Sequence, residues 1–227
     1  QEGLIRGHVG RGSFVAGPAL IERAGIRWQD RFVSEGILET NLPPPVVGAG
    51  GVSFTAARPA AQLFPLREFR ASCAEVIAGK AAADILQLGS PQGYAPLRRY
   101  LLAEARTQGV ARESDDLIVT NGCQQALDLL QRTLTSAGDI VAIEDPIYPG
   151  LKNVFLRSGV RVVGIPVGAQ GIEVEQCERL FQRERPRVVV VTPNFQNPTG
   201  TTMPLAARRQ FLSVAREAGV AVVENDI

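Results

Sequence analysis

RVVVVTPNFQNPTG, residues 187–200, is the stretch of this sequence that says most about its fold. Its four consecutive valines predict a strand buried on both faces, because β-branched side chains pack well on a pleated surface. The stretch ends in a loop with two prolines, two asparagines and a closing glycine. Asn197 precedes Pro198, which restricts Asn197 to extended backbone conformations and makes a cis bond between them plausible. A simple connection between a strand and a helix does not need this combination of prolines, asparagines and glycine, so we expect this loop to serve a binding site.

The chain around this stretch alternates between apolar runs and segments of helical periodicity. The runs that predict buried strands are DLIVT (116–120), IVAIED (140–145), VRVVGI (160–165), RVVVVT (187–192) and VAVVEND (220–226). The segments with helical spacing are 66–80, 96–108, 123–136, 149–158, 173–184 and 204–218. This alternation predicts an α/β fold with a mainly parallel sheet, helices on both faces, and ligands bound beyond the carboxyl ends of the strands.

Two of the predicted strands are followed by residues that suit a ligand. Gly122 stands between a strand and a helix, and Cys123 and Gln124 come next, so backbone N–H groups at a helix N-terminus could hold a phosphate there. Many turns of this kind bind nothing. Tyr148 lies between two prolines, where its ring could stack on a planar ligand or simply pack on a neighbouring helix.

Composition excludes several other classes of function. The formal charge is +1, so binding of nucleic acid would have to be local. Three widely spaced cysteines show neither metal spacing nor a disulfide framework, which predicts a reducing, cytoplasmic location. The single histidine excludes a histidine metal cluster and a Ser/His/Asp triad. No apolar stretch is long enough to span a bilayer, so we expect no membrane partner.

The opening of the chain has a different character. Residues 1–17 alternate apolar and polar positions around closely spaced glycines, which predicts a short β-hairpin. Arg6 and Arg11 flank its tip and would either touch DNA phosphates or remain solvated. Residues 18–52 have little periodicity and contain LPPPVVGAGG, which is typical of a linker.

Several motifs together resemble the fold-type I aminotransferase family, whose cofactor is pyridoxal phosphate (PLP). They occur in the family's order and approximate spacing: Gln92-Gly93 with Leu97-Arg98, TNGCQQALDL (120–129), EDPIYPG (144–150), PNFQNPTG (193–200) and VVENDI (222–227). The opening EGLIRGHVGRGSFVA (2–16) resembles the wing of a GntR-type winged helix. Phe54 and Leu63-Phe64-Pro65 resemble the join in the MocR subfamily of GntR regulators, which fuse such a helix module to an aminotransferase-like domain.

The resemblance implies an organisation for the whole chain. Residues 1–17 would be the remnant of a winged helix, residues 18–52 a linker, and residues 53–227 the PLP-binding large domain. The lysine that forms a Schiff base with PLP in this family is expected beyond Ile227, so no catalytic residue is assigned within the chain. Lys80 and Lys152 are the only lysines, and neither matches the family's position.

The resemblance also implies roles for individual residues. Backbone groups of Gly122, Cys123 and Gln124 would hold the phosphate, and Tyr148 would stack on the pyridine ring. Asn197 would donate a hydrogen bond to the ring's phenolic oxygen.

The partner of the pyridine nitrogen is open between two residues. An acidic group on the last strand would keep that nitrogen protonated. Asn225 takes the place where many family members carry this carboxylate, and Asp226 lies one residue later, on the alternate face of a strand.

Three functions remain open on the sequence. The first is a transcription regulator that binds DNA through a winged helix and senses PLP or a small amino compound. The second is a PLP-dependent aminotransferase acting on an amino acid and a 2-oxo acid, and the third is a parallel-sheet domain without a cofactor. A homodimer is implied by the family, in which subunits share active sites.

Overall fold

The computed structural model describes residues 5–8, 10, 12–15, 60–156 and 158–226 of the chain. The chain divides into two compact units, Gln1–Leu42 and Pro43–Ile227. The predicted linker, residues 18–52, lies outside the described residues, as does Arg11.

The described part of the first unit is a β-hairpin. Strand β1 (Ile5–His8) pairs antiparallel with β2 (Gly12–Val15), and Gly10 between them has φ +78°. Arg6 pairs with Phe14 across the ladder. The hairpin predicted for residues 1–17 is therefore present.

The second unit begins with helices. A short 3-10 helix (Ala61–Leu63) precedes α1 (Leu66–Ala78), α2 (Ala82–Ile85) and α3 (Ala95–Thr107). Pro96 lies in the first turn of α3, where a missing N–H costs nothing. None of the residues in these three α-helices is buried.

Strands and helices alternate from residue 123 onward. In chain order the elements are α4 (Cys123–Leu134), β3 (Ile140–Asp145), α5 (Pro149–Leu156), β4 (Arg161–Gly168), β5 (Gly171–Ile172), α6 (Val174–Glu184), β6 (Val188–Val191), α7 (Leu205–Ala218) and β7 (Ala221–Glu224). The sheet order is β5-β4-β3-β6-β7, in which only β5 runs antiparallel to its neighbour. The mainly parallel α/β sheet that the sequence predicts is confirmed.

Helices cover both faces of this sheet. Val189 and Val191 of β6 belong to one apolar cluster, together with residues of α6 and α7 such as Phe181 and Phe211. Val188 and Val190 belong to the other cluster, together with residues of α4 and α5 such as Leu127, Leu151 and Phe155. This alternation explains the run of four valines, since each face of a strand receives every second side chain.

The predicted strand at 116–120 is wrong. Those residues are assigned to no strand, and Ile118 is 59% exposed. The segment makes one backbone-to-backbone hydrogen bond among the described residues, from Val119 N to Gln92 O at 3.0 Å. Its other backbone bonds are to side chains, from Leu117 N to Asp116 Oδ1 at 2.8 Å and from Arg98 Nε to Leu117 O at 2.8 Å. An apolar run forms a strand only when a neighbouring strand supplies a ladder, and no described strand pairs with this segment.

Two other strands are less buried than the sequence predicts. β3 and β6 are almost entirely buried, but β4 has a single buried residue, Ile165, and β7 has none. β7 forms one edge of the described sheet, so it packs against a strand on one side only.

Among the described residues, no helix is long and apolar enough to cross a membrane.

The cysteines differ strongly in accessibility, which predicts their reactivity. Cys123 is exposed, whereas Cys177 is 0% exposed and burial raises the pKa of its thiol to about 12. Because the thiolate is the nucleophile, we expect iodoacetamide to alkylate Cys177 about 100-fold or more slowly than Cys123 in the native protein. Mass spectrometry of labelled peptides over time measures both rates, and labelling in denaturant is the control. Similar native rates would contradict the packing of α6 against the sheet.

Candidate functional site

The carboxyl ends of three neighbouring strands meet at one edge of the sheet. Val190 of β6 pairs with Ile143 of β3 on one side and with Val223 of β7 on the other, and all three strands run parallel. The segments that follow them, 146–150, 192–200 and 225–226, therefore emerge side by side. These segments contain the polar and aromatic residues singled out in the sequence.

The N-terminus of α4 is suited to an anion. Its N-cap is Gly122, with φ +83°, so this helix start has no side-chain cap. A methyl group at position 122 would meet no described atom within 4 Å, which leaves open space beside the first turn. The N–H groups of a first helical turn have no partner within the helix, and they favour negative charge. Asn121 N is already bonded to Gln125 Oε1 at 2.6 Å, which holds the preceding loop against the helix.

Tyr148 and Gln124 approach each other at Gly150. A methyl group at position 150 would lie 2.8 Å from Cζ of Tyr148 and 2.7 Å from Nε2 of Gln124, closer than real Cβ contacts. The glycine therefore allows the tyrosine ring to lie beside the start of α4. The Tyr148 side chain is 49% exposed, so its ring has a free surface.

Asn225 is directed toward the start of α4. Its Oδ1 lies 3.2 Å from Sγ of Cys123, and its Nδ2 lies 3.3 Å from Oγ1 of Thr192. Its backbone N–H donates to Val191 O at 2.8 Å, which extends the pairing of β7 with β6 by one residue.

Asp226 is engaged elsewhere. Its Oδ1 accepts a hydrogen bond of 3.0 Å from Nδ2 of Asn194, and Oδ1 of Asn194 accepts one of 2.6 Å from Nη2 of Arg208. The same guanidinium also donates to Pro193 O and Met203 O, at 3.1 and 2.8 Å. Asp226 is thus part of a polar chain that holds the 193–203 loop against α7.

Asn197 is exposed, and the bond that follows it is cis, as is Asp145–Pro146. Asn197 is connected to the Tyr148 turn through its neighbour Gln196, whose Nε2 donates to Pro146 O at 2.8 Å. The same Nε2 donates to Glu144 Oε2 at 3.0 Å. Burial raises the pKa of the Glu144 carboxyl, against the opposing effect of hydrogen bonds from Thr192 N–H and Gln196.

The structure therefore brings together most of the residues selected from sequence. The start of α4 with Cys123 lies beside Asn225, and Gln124 lies beside Tyr148, whereas Asp226 is turned into a different set of contacts. The sequence reasoning missed Gly150, Glu144 and Gln196. The available signals were a glycine after Tyr148-Pro149, and polar residues within or next to buried strand ends.

With this geometry in place, comparison with known proteins identifies the fold. The family described as "Aminotransferase class I and II" matches residues 61–227. The chain belongs to this family. The match covers α1 to β7, and therefore every segment that builds the site.

Known relatives include both enzymes and regulators. The chain is 36% identical over 177 residues to a 2-aminoadipate transaminase of Thermus thermophilus, covering 78% of this chain and 43% of that protein. It is 36% identical over 138 residues to a probable rhizopine catabolism regulatory protein MocR of Rhizobium meliloti, covering 61% of this chain and 27% of that protein. HTH-type transcriptional regulators of Bacillus subtilis and Escherichia coli match at 27–32% identity.

Solved structures confirm fold type I. The crystal structure of LysN, an α-aminoadipate aminotransferase of Thermus thermophilus, matches with a TM-score of 0.72 and 34% identity over 88% of this chain. The match covers 50% of that chain. This chain thus spans half or less of the length of these relatives.

The cofactor of this aminotransferase fold is PLP, and the residues at the sheet edge fit it. PLP is a flat ring with a phosphate, a phenolic oxygen and a pyridine nitrogen. The open, uncapped start of α4 suits the phosphate, the half-exposed ring of Tyr148 suits the flat face, and the amides of Asn197 and Asn225 suit the ring's polar atoms.

Among the described residues, no group of three or more His, Cys, Asp or Glu side chains could hold a metal ion.

Adding a methyl group at Gly150 tests the geometry of this site. We expect Gly150→Ala to push the Tyr148 ring and the Gln124 amide apart, and to weaken PLP binding by the full-length protein about tenfold or more, which corresponds to about 1.4 kcal/mol. Gly89→Ala is the matched control, since a methyl group there meets no described atom within 4 Å. PLP dissociation constants from titrations of each variant make the comparison. Equal affinities for all three proteins would show that Tyr148 and Gln124 do not contact the cofactor.

Proposed function

We propose that this chain is part of a PLP-binding, aminotransferase-like transcription regulator of the GntR/MocR type. The full protein would bind DNA through a winged helix and respond to PLP or to a small amino compound. Residues 1–17 would form the wing, residues 18–52 the linker, and residues 53–227 the cofactor domain. Cytoplasmic location and a homodimer are parts of the same proposal: cysteine usage supports the first, and the family resemblance implies the second.

In the proposed site each residue holds one part of the cofactor. Backbone N–H groups of Gly122, Cys123 and Gln124 would hold the phosphate at the positive end of α4, and Tyr148 would stack on the ring. Asn197 would donate to the phenolic oxygen and help that oxygen remain ionised. When bound, PLP supplies an electron sink for carbanion chemistry at an amino compound.

The observation that carries the proposal is the orientation of Asn225. Asn225 points to Cys123 at the start of α4, while Asp226 is bonded to Asn194. Asn225 is therefore the better placed of the two residues for the pyridine nitrogen. An amide carries no negative charge and stabilises a protonated nitrogen much less than a carboxylate does. The ring would then be a weaker electron sink, which suits a sensor better than an enzyme.

The hairpin supports the DNA-binding half of the proposal. A two-stranded antiparallel ribbon is a compact element that reaches a groove or the phosphate backbone, and β1 and β2 form one. Arg6 lies on β1, and Arg11 follows the turn residue Gly10. The regulators among the relatives are described as HTH-type, which supports a DNA-binding module in the full protein.

An aminotransferase acting on an amino acid and a 2-oxo acid is the second candidate. The 36% identity to a 2-aminoadipate transaminase favours it. This hypothesis requires a carboxylate at the pyridine nitrogen. In this chain the carboxylate would have to be that of Asp226, after its hydrogen bond with Asn194 is broken.

Gel-shift titration of the full-length protein with DNA from upstream of its own gene tests the regulator proposal. We expect binding whose affinity changes at least severalfold when PLP is added. The double variant Arg6→Ala, Arg11→Ala should weaken binding about tenfold and reduce its dependence on salt, because two phosphate contacts are lost. Arg209→Ala, on the exposed side of α7, is the matched control. Failure to bind any upstream segment would refute the DNA-binding half.

Asn225→Asp discriminates between regulator and enzyme. We expect it to raise formation of 2-oxo acid from amino acids by the full-length protein about tenfold or more, because a carboxylate holds the ring nitrogen protonated. Gln210→Glu makes the same amide-to-carboxylate change on exposed α7 and should have no effect. If the wild-type protein already transaminates efficiently and Asp226→Asn abolishes this activity, the aminotransferase hypothesis is correct.

A further inference from the structure

Two buried polar side chains lie beneath the proposed site and have no assigned part in holding the cofactor. Glu144, in β3, and Gln196, in the loop after β6, are each 1% exposed. Burial of a carboxylate or an amide is costly unless every polar atom has a partner. Their contacts therefore indicate what they do.

Gln196 uses all of its hydrogen-bonding capacity. Its Nε2 donates to Pro146 O at 2.8 Å and to Glu144 Oε2 at 3.0 Å. Its Oε1 accepts from Thr199 N at 3.0 Å and from Thr199 Oγ1 at 2.7 Å. Pro146 O can only accept and Thr199 N can only donate, so these two backbone groups fix the orientation of the amide.

The partners of Glu144 require a carboxylate. Its Oε1 accepts from Thr192 N at 2.9 Å and its Oε2 accepts from Gln196. Both neighbours are donors, so the side chain at position 144 must supply two acceptors. A glutamine of the same shape has one acceptor oxygen and would leave one buried donor unpaired.

Together the two side chains connect three backbone segments at the sheet edge: the turn at Pro146, the end of β6 at Thr192, and the loop at Thr199. Tyr148 lies two residues after Pro146, and Asn197 lies directly after Gln196. The turn and the loop are about 50 residues apart in sequence, so their relative position depends on contacts of this kind.

We infer that Glu144 and Gln196 are positioning residues that lock the Tyr148 turn to the Asn197 loop, and so fix the spacing between the residue that stacks on the PLP ring and the residue that binds its phenolic oxygen. This inference rests on the proposed PLP site. Binding a rigid ring on two sides requires its partners to be held within about 0.5 Å, which separate loops would not achieve unaided.

Amide hydrogen exchange of the full-length protein without PLP tests the locking itself. In Gln196→Leu we expect residues 146–150 and 192–200 to exchange faster together, about tenfold or more, while α6 is unchanged. Gln210→Leu on exposed α7 is the matched control and should leave both segments protected. Faster exchange confined to 196–200, with 146–150 as in the wild type, would overturn the inference. Glu144→Gln offers a milder change with the same expected pattern if Gln196→Leu fails to fold.

PLP titration of the same proteins tests the consequence for the site. We expect Gln196→Leu to raise the dissociation constant about tenfold or more, and to reduce the circular dichroism that bound PLP acquires from a fixed orientation. Phe181→Leu, which loosens the core under α6, serves as a control for stability and should retain both signals. Unchanged affinity and dichroism in Gln196→Leu would overturn the inference. If the wild type binds no PLP, the proposed function fails, and hydrogen exchange alone decides whether the two segments are locked.

An exchange of the two side chains provides a rescue. Gln196→Glu alone places two carboxylates in contact and should weaken PLP binding strongly. Adding Glu144→Gln restores a donor and an acceptor between the two positions, but Pro146 O then faces a carboxylate oxygen in place of its donor. We therefore expect only part of the lost affinity to return, about threefold. A general destabilising role would make the double variant worse than either single variant, and that result would contradict the inference.

Discussion

Hydrogen bonding of β6 to both β3 and β7 is the constraint on which the rest of this domain depends. β6 has only four residues, yet all four valines are buried and they alternate between the two apolar clusters. Burial of each side chain contributes about 1.5–3 kcal/mol, so the strand is held in one register. That register decides where the loop after Val191 emerges, and hence which residues meet at the sheet edge.

The site that results combines rigid backbone with few charges. The helix start that suits an anion has no side-chain cap, and the side chain directed toward it from the end of β7 is the amide of Asn225. Two of the carboxylates at this edge are engaged by other groups, Glu144 by Thr192 and Gln196, and Asp226 by Asn194. Under the proposed function, this arrangement would hold a cofactor more readily than it would activate one.

Much of this was predictable from the sequence because it depends on local patterns. Four consecutive valines predict a doubly buried strand, and Gly122 before a helical pattern predicts an uncapped helix start. The segment 116–120 has the same kind of apolar run and its prediction as a strand is wrong, since strand formation needs a partner strand and an apolar run does not reveal one. The choice between Asn225 and Asp226 could not be made from sequence either. Both residues follow β7, and only their contacts, with Cys123 and with Asn194, show where each side chain points.

The sequence by itself determined the α/β class, the order of the elements from α4 to β7 apart from the short β5, and the residue types available at each strand end, because periodicity, prolines and glycines act over a few neighbouring residues. The tertiary structure alone decided that Gln196 reaches Glu144 and Pro146, that Gly150 makes room for Tyr148 beside Gln124, and that Asp226 turns away from α4. These contacts join residues up to 52 positions apart in the sequence. They follow from how the strands align across the sheet, which no local pattern encodes.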